Sequence, residues 1–255
     1  MNIIETKNLT KSYAGFTAVS NLNLHIPKGS VYGFLGPNGA GKSTTMKMFL
    51  GLTKPTSGSF TINGRKYPED RIEILKETGS FIEAPAFYGN LSGEENLEII
   101  RKILGLPKSS VEEALETVGL VQFKKRLAKK YSLGMKQRLG LASALIGKPP
   151  VLILDEPTNG LDPAGIHEIR SLIRLLPEKF NCTVFVSSHL LSEIELMAEN
   201  IGILNHGHLL FEGTLDELRF HANSQGYPSD NLEDTFLAMV DADNQKRGVT
   251  RWEFP

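Results

Sequence analysis

Residues 36–44 read Gly-Pro-Asn-Gly-Ala-Gly-Lys-Ser-Thr, and the chain's clearest chemistry lies there. The spacing G-x-x-x-x-G-K-[ST] is met by Gly36, Gly41, Lys42 and Ser43. Glycines let backbone N–H groups approach phosphate oxygens with no Cβ in the way. A helix opening near Gly41 adds its positive dipole end. Lys42 offers a point charge to the β- and γ-phosphates, and the Ser43 hydroxyl can ligand Mg²⁺. A chance match in a Gly-rich turn is the plain alternative. Against it stand the apolar run Ser30–Leu35 and the helical pattern from Thr44 to Gly51, which supply the strand–loop–helix that the chemistry needs.

A second cluster follows at Val151-Leu-Ile-Leu-Asp155-Glu156. The continuous apolar run suits a parallel strand buried on both faces. Asp155 at its carboxyl end can hold Mg²⁺. Glu156 cannot share that orientation, because successive strand side chains point to opposite faces. One carboxylate can therefore serve a metal while the other polarises water. A third segment, Ser132-Leu-Gly-Met-Lys136, precedes an amphipathic helix carrying Leu139, Leu141, Ala142 and Leu145. Hydroxyl and N–H groups at a helix N-terminus form an anion site. Taken alone, the segment reads first as an ordinary helix start, capped at Ser132 or Gly134.

The elements that must position these groups are legible in outline. Residues 1–35 alternate polar and apolar, as half-exposed antiparallel strands do. Residues 57–64 read as another strand. After Glu83 comes a loop, 84–90, and then Ser92-Gly-Glu-Glu95, a capping box opening a helix to about Leu104. Further helices are expected from Ser110 to Val118 and from Gly134 to Ile146. Strand–helix alternation resumes at 151–155, 166–177, 182–187, 192–197 and 201–204. A final strand is expected at 208–213, with a second capping box at Thr214-Leu-Asp-Glu217. The expected architecture is α/β: a core of residues 1–83 and 149–220 with an antiparallel β subdomain, interrupted by a helical subdomain at 84–148. Residues 221–255 read as a C-terminal extension, partly helical around Leu232–Val240 or flexible. Trp252 has no assigned role.

Composition bounds the rest. The 255 residues suffice for one large α/β unit with a smaller insertion. Lys+Arg 28 against Asp+Glu 29 gives a formal charge of −1 and no electrostatic case for a nucleic-acid partner. Cys182, the one cysteine, sits in an apolar run and suits a buried strand residue in a reducing compartment. No signal peptide or membrane-spanning run is evident, so a soluble protein reaching a membrane through a partner is expected.

Taken in order, these segments resemble the ATP-binding-cassette (ABC) ATPases, whose fold is a P-loop NTPase (RecA-like) core. The resemblance covers about residues 1–215. Tyr13 matches the aromatic that stacks on adenine. Gly36, Asn38, Gly39, Ala40, Gly41, Lys42, Ser43 and Thr44 match the Walker A loop. Val151–Asp155 match Walker B, with Glu156 as the catalytic carboxylate. Asp162, in Asn159-Gly-Leu-Asp, matches the D-loop, and His189, in Ser-Ser-His, the switch histidine. Ser132-Leu-Gly-Met-Lys136 matches the signature, usually Leu-Ser-Gly-Gly-Gln, with Ser132 and Gly134 retained. Glu83 stands where the family's lid carries Gln; it could ligand Mg²⁺ or be only a surface acid. The resemblance implies ATP and Mg²⁺ as cofactors and a homodimer sandwiching ATP between Walker A of one copy and the signature of the other. It also implies integral membrane subunits, docking most naturally at Ala84–Asn90, and work at the cytoplasmic face of the membrane.

Glu83 and the signature spelling are similar to those of the ATPase subunits of lantibiotic immunity and bacitracin resistance, which implies export of a peptide antibiotic. Export of a drug or lipid is the alternative. A transporter-independent cassette ATPase would carry a coiled-coil insertion or two cassettes. A kinase or GTPase would need an acceptor pocket or an Asn-Lys-x-Asp, and a nonenzymatic regulator would lack Glu156 or His189. None of these marks is in the sequence.

Overall fold

The computed structural model describes residues 1–83, 87–229 and 231–248. Its first segment holds β1 (Asn2–Tyr13), β2 (Phe16–Leu22), β3 (His25–Pro27), β4 (Val31–Leu35) and α1 (Lys42–Phe49). Strands β5 (Ser57–Ile62) and β6 (Arg65–Lys66), helix α2 (Arg71–Lys76) and strand β7 (Thr78–Phe81) follow. Helices α3 (Gly93–Leu104), α4 (Ser109–Thr117) and α5 (Leu133–Leu145) come next. Alternation then resumes with β8 (Val151–Asp155), α6 (Pro163–Phe180), β9 (Thr183–Ser188), α7 (Leu191–Ile194), β10 (Asn200–Asn205) and β11 (His208–Thr214). Helices α8 (Leu215–Gln225) and α9 (Leu232–Lys246) end the described chain.

Two sheets organise these elements. One runs β11-β10-β4-β9-β8-β7, all parallel except β11. The other is antiparallel, in the order β2-β1-β5-β6 with β3 also paired to β1. Every residue of β8 is buried. Leu152 and Leu154 face one core, which they share with helices α3 to α9, while Val151 and Ile153 face a second core beneath the antiparallel sheet. Burial on both faces is why the run is continuous instead of alternating. Strand β9 repeats the arrangement: Val184 and Val186 face the helices, and Phe185 packs 5.1 Å from Phe34 and 5.6 Å from Phe49 on the other side.

Both spelled capping boxes form. Ser92 Oγ accepts the Glu95 N–H while Glu95 Oε2 accepts the Ser92 N–H, and Thr214 and Glu217 do the same. Helix α6 begins at Pro163, earlier than the expected 166, because Asp162 caps it and proline suits its first turn. A boundary at 220/221 falls inside α8, and α9 runs to Lys246 instead of Val240. Leu232, Phe236, Met239 and Val240 are buried, so α9 packs on the core. Residues 249–255, Trp252 among them, lie outside the described residues. No helix among the described residues is long and apolar enough to cross a membrane.

Candidate nucleotide site

Parallel register brings three strand ends level. Leu35 of β4 lies opposite Ser188 of β9, and Ser187 lies opposite Asp155 of β8. The segments that follow, 36–42, Glu156 and His189, therefore emerge at one carboxyl edge, where open α/β sheets bind ligands.

The phosphate loop is tightly seated. Gly41 has φ 110°, and a Cβ there would lie 2.4 Å from the Ala18 carbonyl oxygen. Lys42 is 5% exposed, and its Nζ donates to the carbonyl oxygens of Gly36 at 2.6 Å and Pro37 at 3.3 Å. Burial lowers the Lys42 pKa, with Glu156 and Asp155 partly opposing it. Burying an ammonium is costly; the loop carbonyls and the nearby Glu156 carboxylate offset part of that cost, and an anion arriving at the loop would offset more. Ser43 and Thr44 are half-buried in the first turn of α1, with Asn38 and Gly39 exposed and Ala40 buried ahead of them.

The adjacent carboxylates part as alternation requires. Asp155 is buried, and its Oδ1 accepts the Ser187 hydroxyl at 2.6 Å. The Glu156 N–H donates to that same Ser187 Oγ at 3.0 Å. Glu156 then turns through φ 46°, an uncommon conformation for a residue with a Cβ. Its Oε1 lies 3.6 Å from Lys42 Nζ, and its Oε2 lies 3.2 Å from His189 Nδ1 and 3.4 Å from Asn159 Nδ2. The carboxylate is thus aimed along the sheet edge, between the phosphate loop and the ring. Ser43 and Asp155 are hard oxygen donors. They fit Mg²⁺, which takes one or two carboxylates together with substrate phosphates.

Tyr13 and Glu83 lie, with Asp155, within electrostatic reach of Lys47. Tyr13, 44% exposed, stacks on Phe16 with ring centroids 5.7 Å apart. Glu83 is exposed at φ 59°, and its Oε1 accepts from Lys47 Nζ at 2.6 Å. Ser132 is exposed, caps α5 and accepts the Met135 N–H at 3.3 Å. Ser132, Gly134 and Asp162 line a separate 530 Å³ cleft between the starts of α5 and α6. Asp162 caps α6 by accepting the Gly165 N–H at 2.9 Å. Gln137 Nε2 reaches the Asn159 carbonyl at 3.4 Å, tying α5 to the loop after Glu156. Sequence reading assigned no role to Ser187, Asn159 or Gln137. A hydroxyl ending an apolar strand was the available signal for Ser187. Of the loop 84–90, Ala84, Pro85 and Ala86 lie outside the described residues; Phe87 is half-buried and Tyr88 exposed.

A family model described as "ABC transporter" matches residues 19–159. The chain is 52% identical over 239 residues to the bacitracin transport ATP-binding protein BcrA of Bacillus licheniformis, covering 93% of this chain and 78% of that one. It is 44% identical over 238 residues to the lantibiotic transport ATP-binding protein SrtF of Streptococcus pyogenes, covering 93% and 97%. A dimeric, post-hydrolysis structure of the ATP-binding cassette MJ0796 bound to ADP and Pi superposes with TM-score 0.75 at 27% identity, covering 83% of this chain and 98% of that one.

Proposed function

The chain belongs to the ABC transporter family, as an ATP-hydrolysing subunit, and we propose that it powers export of a peptide antibiotic by separate membrane subunits. The bacitracin and lantibiotic transport named for its relatives supports that cargo class over a drug or lipid. The observation that carries the catalytic reading is the Glu156 carboxylate, set between Lys42 and His189 at the sheet edge.

In this reading Lys42 releases its loop carbonyls to meet the β- and γ-phosphates of ATP. The N–H groups from Gly36 to Thr44, with the α1 dipole, cradle the same oxygens. Tyr13 stacks on the adenine. Ser43 and Asp155 would hold Mg²⁺, and Glu83, here paired with Lys47, would be a further carboxylate ligand. Bound there, Mg²⁺ would neutralise phosphate charge. Glu156 orients the attacking water and takes its proton, and His189 stabilises charge developing on the γ-phosphate.

Ser132, Gly134 and Asp162 serve a second copy. They are exposed or line an open cleft, and a solved cassette of the same fold is a dimer. Closure of two copies would exclude water from both sites. The membrane subunits dock near Ala84–Asn90. A 360 Å³ groove lined by Leu52, Ile82, Phe87, Tyr88, Ile99 and Ile100 adjoins that loop and supports the placement. The subunit would then work at the cytoplasmic face of the membrane.

Glu156→Gln tests the assignment. ATP binding should persist, turnover should vanish, and an ATP-bound dimer should accumulate on size exclusion. Hydrolysis at the wild-type rate would sink it.

A further inference from the structure

The loops that carry Glu156 and His189 meet on a third carboxylate. Glu193, in α7, is 9% exposed, and its Oε2 accepts two hydroxyls: Thr158 Oγ1 at 2.6 Å and Ser188 Oγ at 3.2 Å. Thr158 follows Glu156 by two residues, and Ser188 immediately precedes His189. The Ser188 hydroxyl also accepts the Leu190 N–H at 3.0 Å, closing a turn around His189. One buried oxygen therefore holds the exits of β8 and β9 together.

Adjacent serines divide the work by strand alternation. Ser187 faces Asp155 and the Glu156 N–H, while Ser188 faces Glu193. Helix α7 itself is fixed. A Cβ on Gly33 of β4 would lie 2.3 Å from Ile194 Cγ2, so the helix lies against the sheet as closely as a glycine allows. On the other side, Glu233 of α9 accepts the Ser192 N–H at 3.0 Å. The helix is anchored from two directions, so its Glu193 carboxylate starts from a fixed point and the two loops are what it restrains.

We propose that Glu193 is a positioning residue for ATP hydrolysis, setting the distance between Glu156 and His189 by holding Thr158 and Ser188 on one carboxylate oxygen. The proposal rests on the reading of Glu156 and His189 as the hydrolytic pair. Hydrogen bonds to an ionised acceptor are about twice as strong as neutral ones, which suits a joint between two loops that must stay in register. A 1 Å misplacement near reacting groups costs on the order of a hundredfold in rate. Glutamine retains an oxygen that accepts both hydroxyls, whereas alanine frees both loops.

The full-length chain should be compared as wild type, Glu193→Ala, Glu193→Gln and Thr158→Val, the last nearly isosteric. The readouts are kcat, affinity for a fluorescent ATP analogue, and hydrogen–deuterium exchange. Glu193→Ala should lower kcat about tenfold or more with nucleotide affinity within about twofold. Exchange should rise in both 156–162 and 187–191 while 36–50 stays unchanged. Glu193→Gln should recover most of kcat, and Thr158→Val should fall between. Unchanged kcat and exchange in Glu193→Ala would overturn the proposal. So would a parallel loss of affinity and melting temperature that Gln does not rescue. Should Glu193→Ala fail to fold, Thr158→Val and Ser188→Ala carry the same test. Wild-type turnover in Glu156→Gln would instead defeat the parent reading, leaving the exchange measurement to judge the tether alone.

Discussion

His189 Nδ1 stands 3.2 Å from Glu156 Oε2, while the other carboxylate oxygen lies 3.6 Å from Lys42 Nζ. One side chain therefore links the end of β9, next to its own β8, to the phosphate loop after β4, two strands away in the order β4-β9-β8. On the proposed reading, His189→Ala removes a donor that meets charge developing during phosphoryl transfer. It should lower kcat about 10²–10³-fold, the loss typical of one such donor, with little change in ATP affinity. Steady-state hydrolysis with a parallel nucleotide titration checks it; a dominant loss of affinity would recast His189 as a binding group.

Glu83 is engaged by Lys47, a residue one turn beyond Ser43 on α1. Both partners are substantially exposed, so the pair contributes under about 1 kcal/mol to stability, and Glu83→Gln should leave unfolding nearly unchanged. The metal dependence should move. Lys47→Met frees the carboxylate and removes a nearby cation, which should lower the Mg²⁺ needed for half-maximal hydrolysis severalfold, and Glu83→Gln should raise it. Identical Mg²⁺ titrations in all three proteins would exclude Glu83 from the metal.

Cys182 is 1% exposed, and burial pushes its thiol up to about 11. At pH 8 only on the order of one molecule in a thousand carries a native thiolate, so iodoacetamide should leave the folded chain unmodified and label it fully in urea. The raised pKa means that the folded state holds this proton more tightly. Its contribution to stability is complete below the unfolded value near 9.0 and is lost as pH rises toward about 11. Urea midpoints measured from pH 8 to 10.5 should fall with a slope that Cys182→Ala reduces. Rapid native labelling at pH 8 would contradict the burial.

What the sequence disclosed was mostly local. The phosphate loop, the buried run 151–155 and both capping boxes are spelled within a few residues, and a short spacing carries their physics. Asp155 and Glu156 were separable from strand alternation alone. The Ser187–Asp155 bond was not, since it requires knowing that β9 pairs with β8. Nor was Glu83 with Lys47, which are 36 positions apart. Glu193 carries no local sequence signal, and only the meeting of two strand exits gives it partners. The start of α6 lies before its apolar repeat because Asp162 and Pro163 open it, and α9 outruns its repeat because polar residues continue the helix past Val240.

Helix α9 offers the sharpest check on that last point. Leu232, Phe236, Met239 and Val240 recur at i, i+4, i+7 and i+8 and are all buried, so they form one face docked on the helical core. Phe236, 4% exposed, fills the middle of that face. Phe236→Ala should cost about 3–5 kcal/mol of unfolding free energy, the range for truncating a buried aromatic, because packed helices collapse only partly into the space left. Leu237, 43% exposed and off that face, is the internal control: Leu237→Ala should change stability by under about 0.5 kcal/mol. Both are read from urea unfolding of the full-length chain. Equal, small effects at the two positions would mean that α9 does not dock through this face. The Glu233–Ser192 contact would then lose its support, and with it one of the two anchors that hold α7 beside His189.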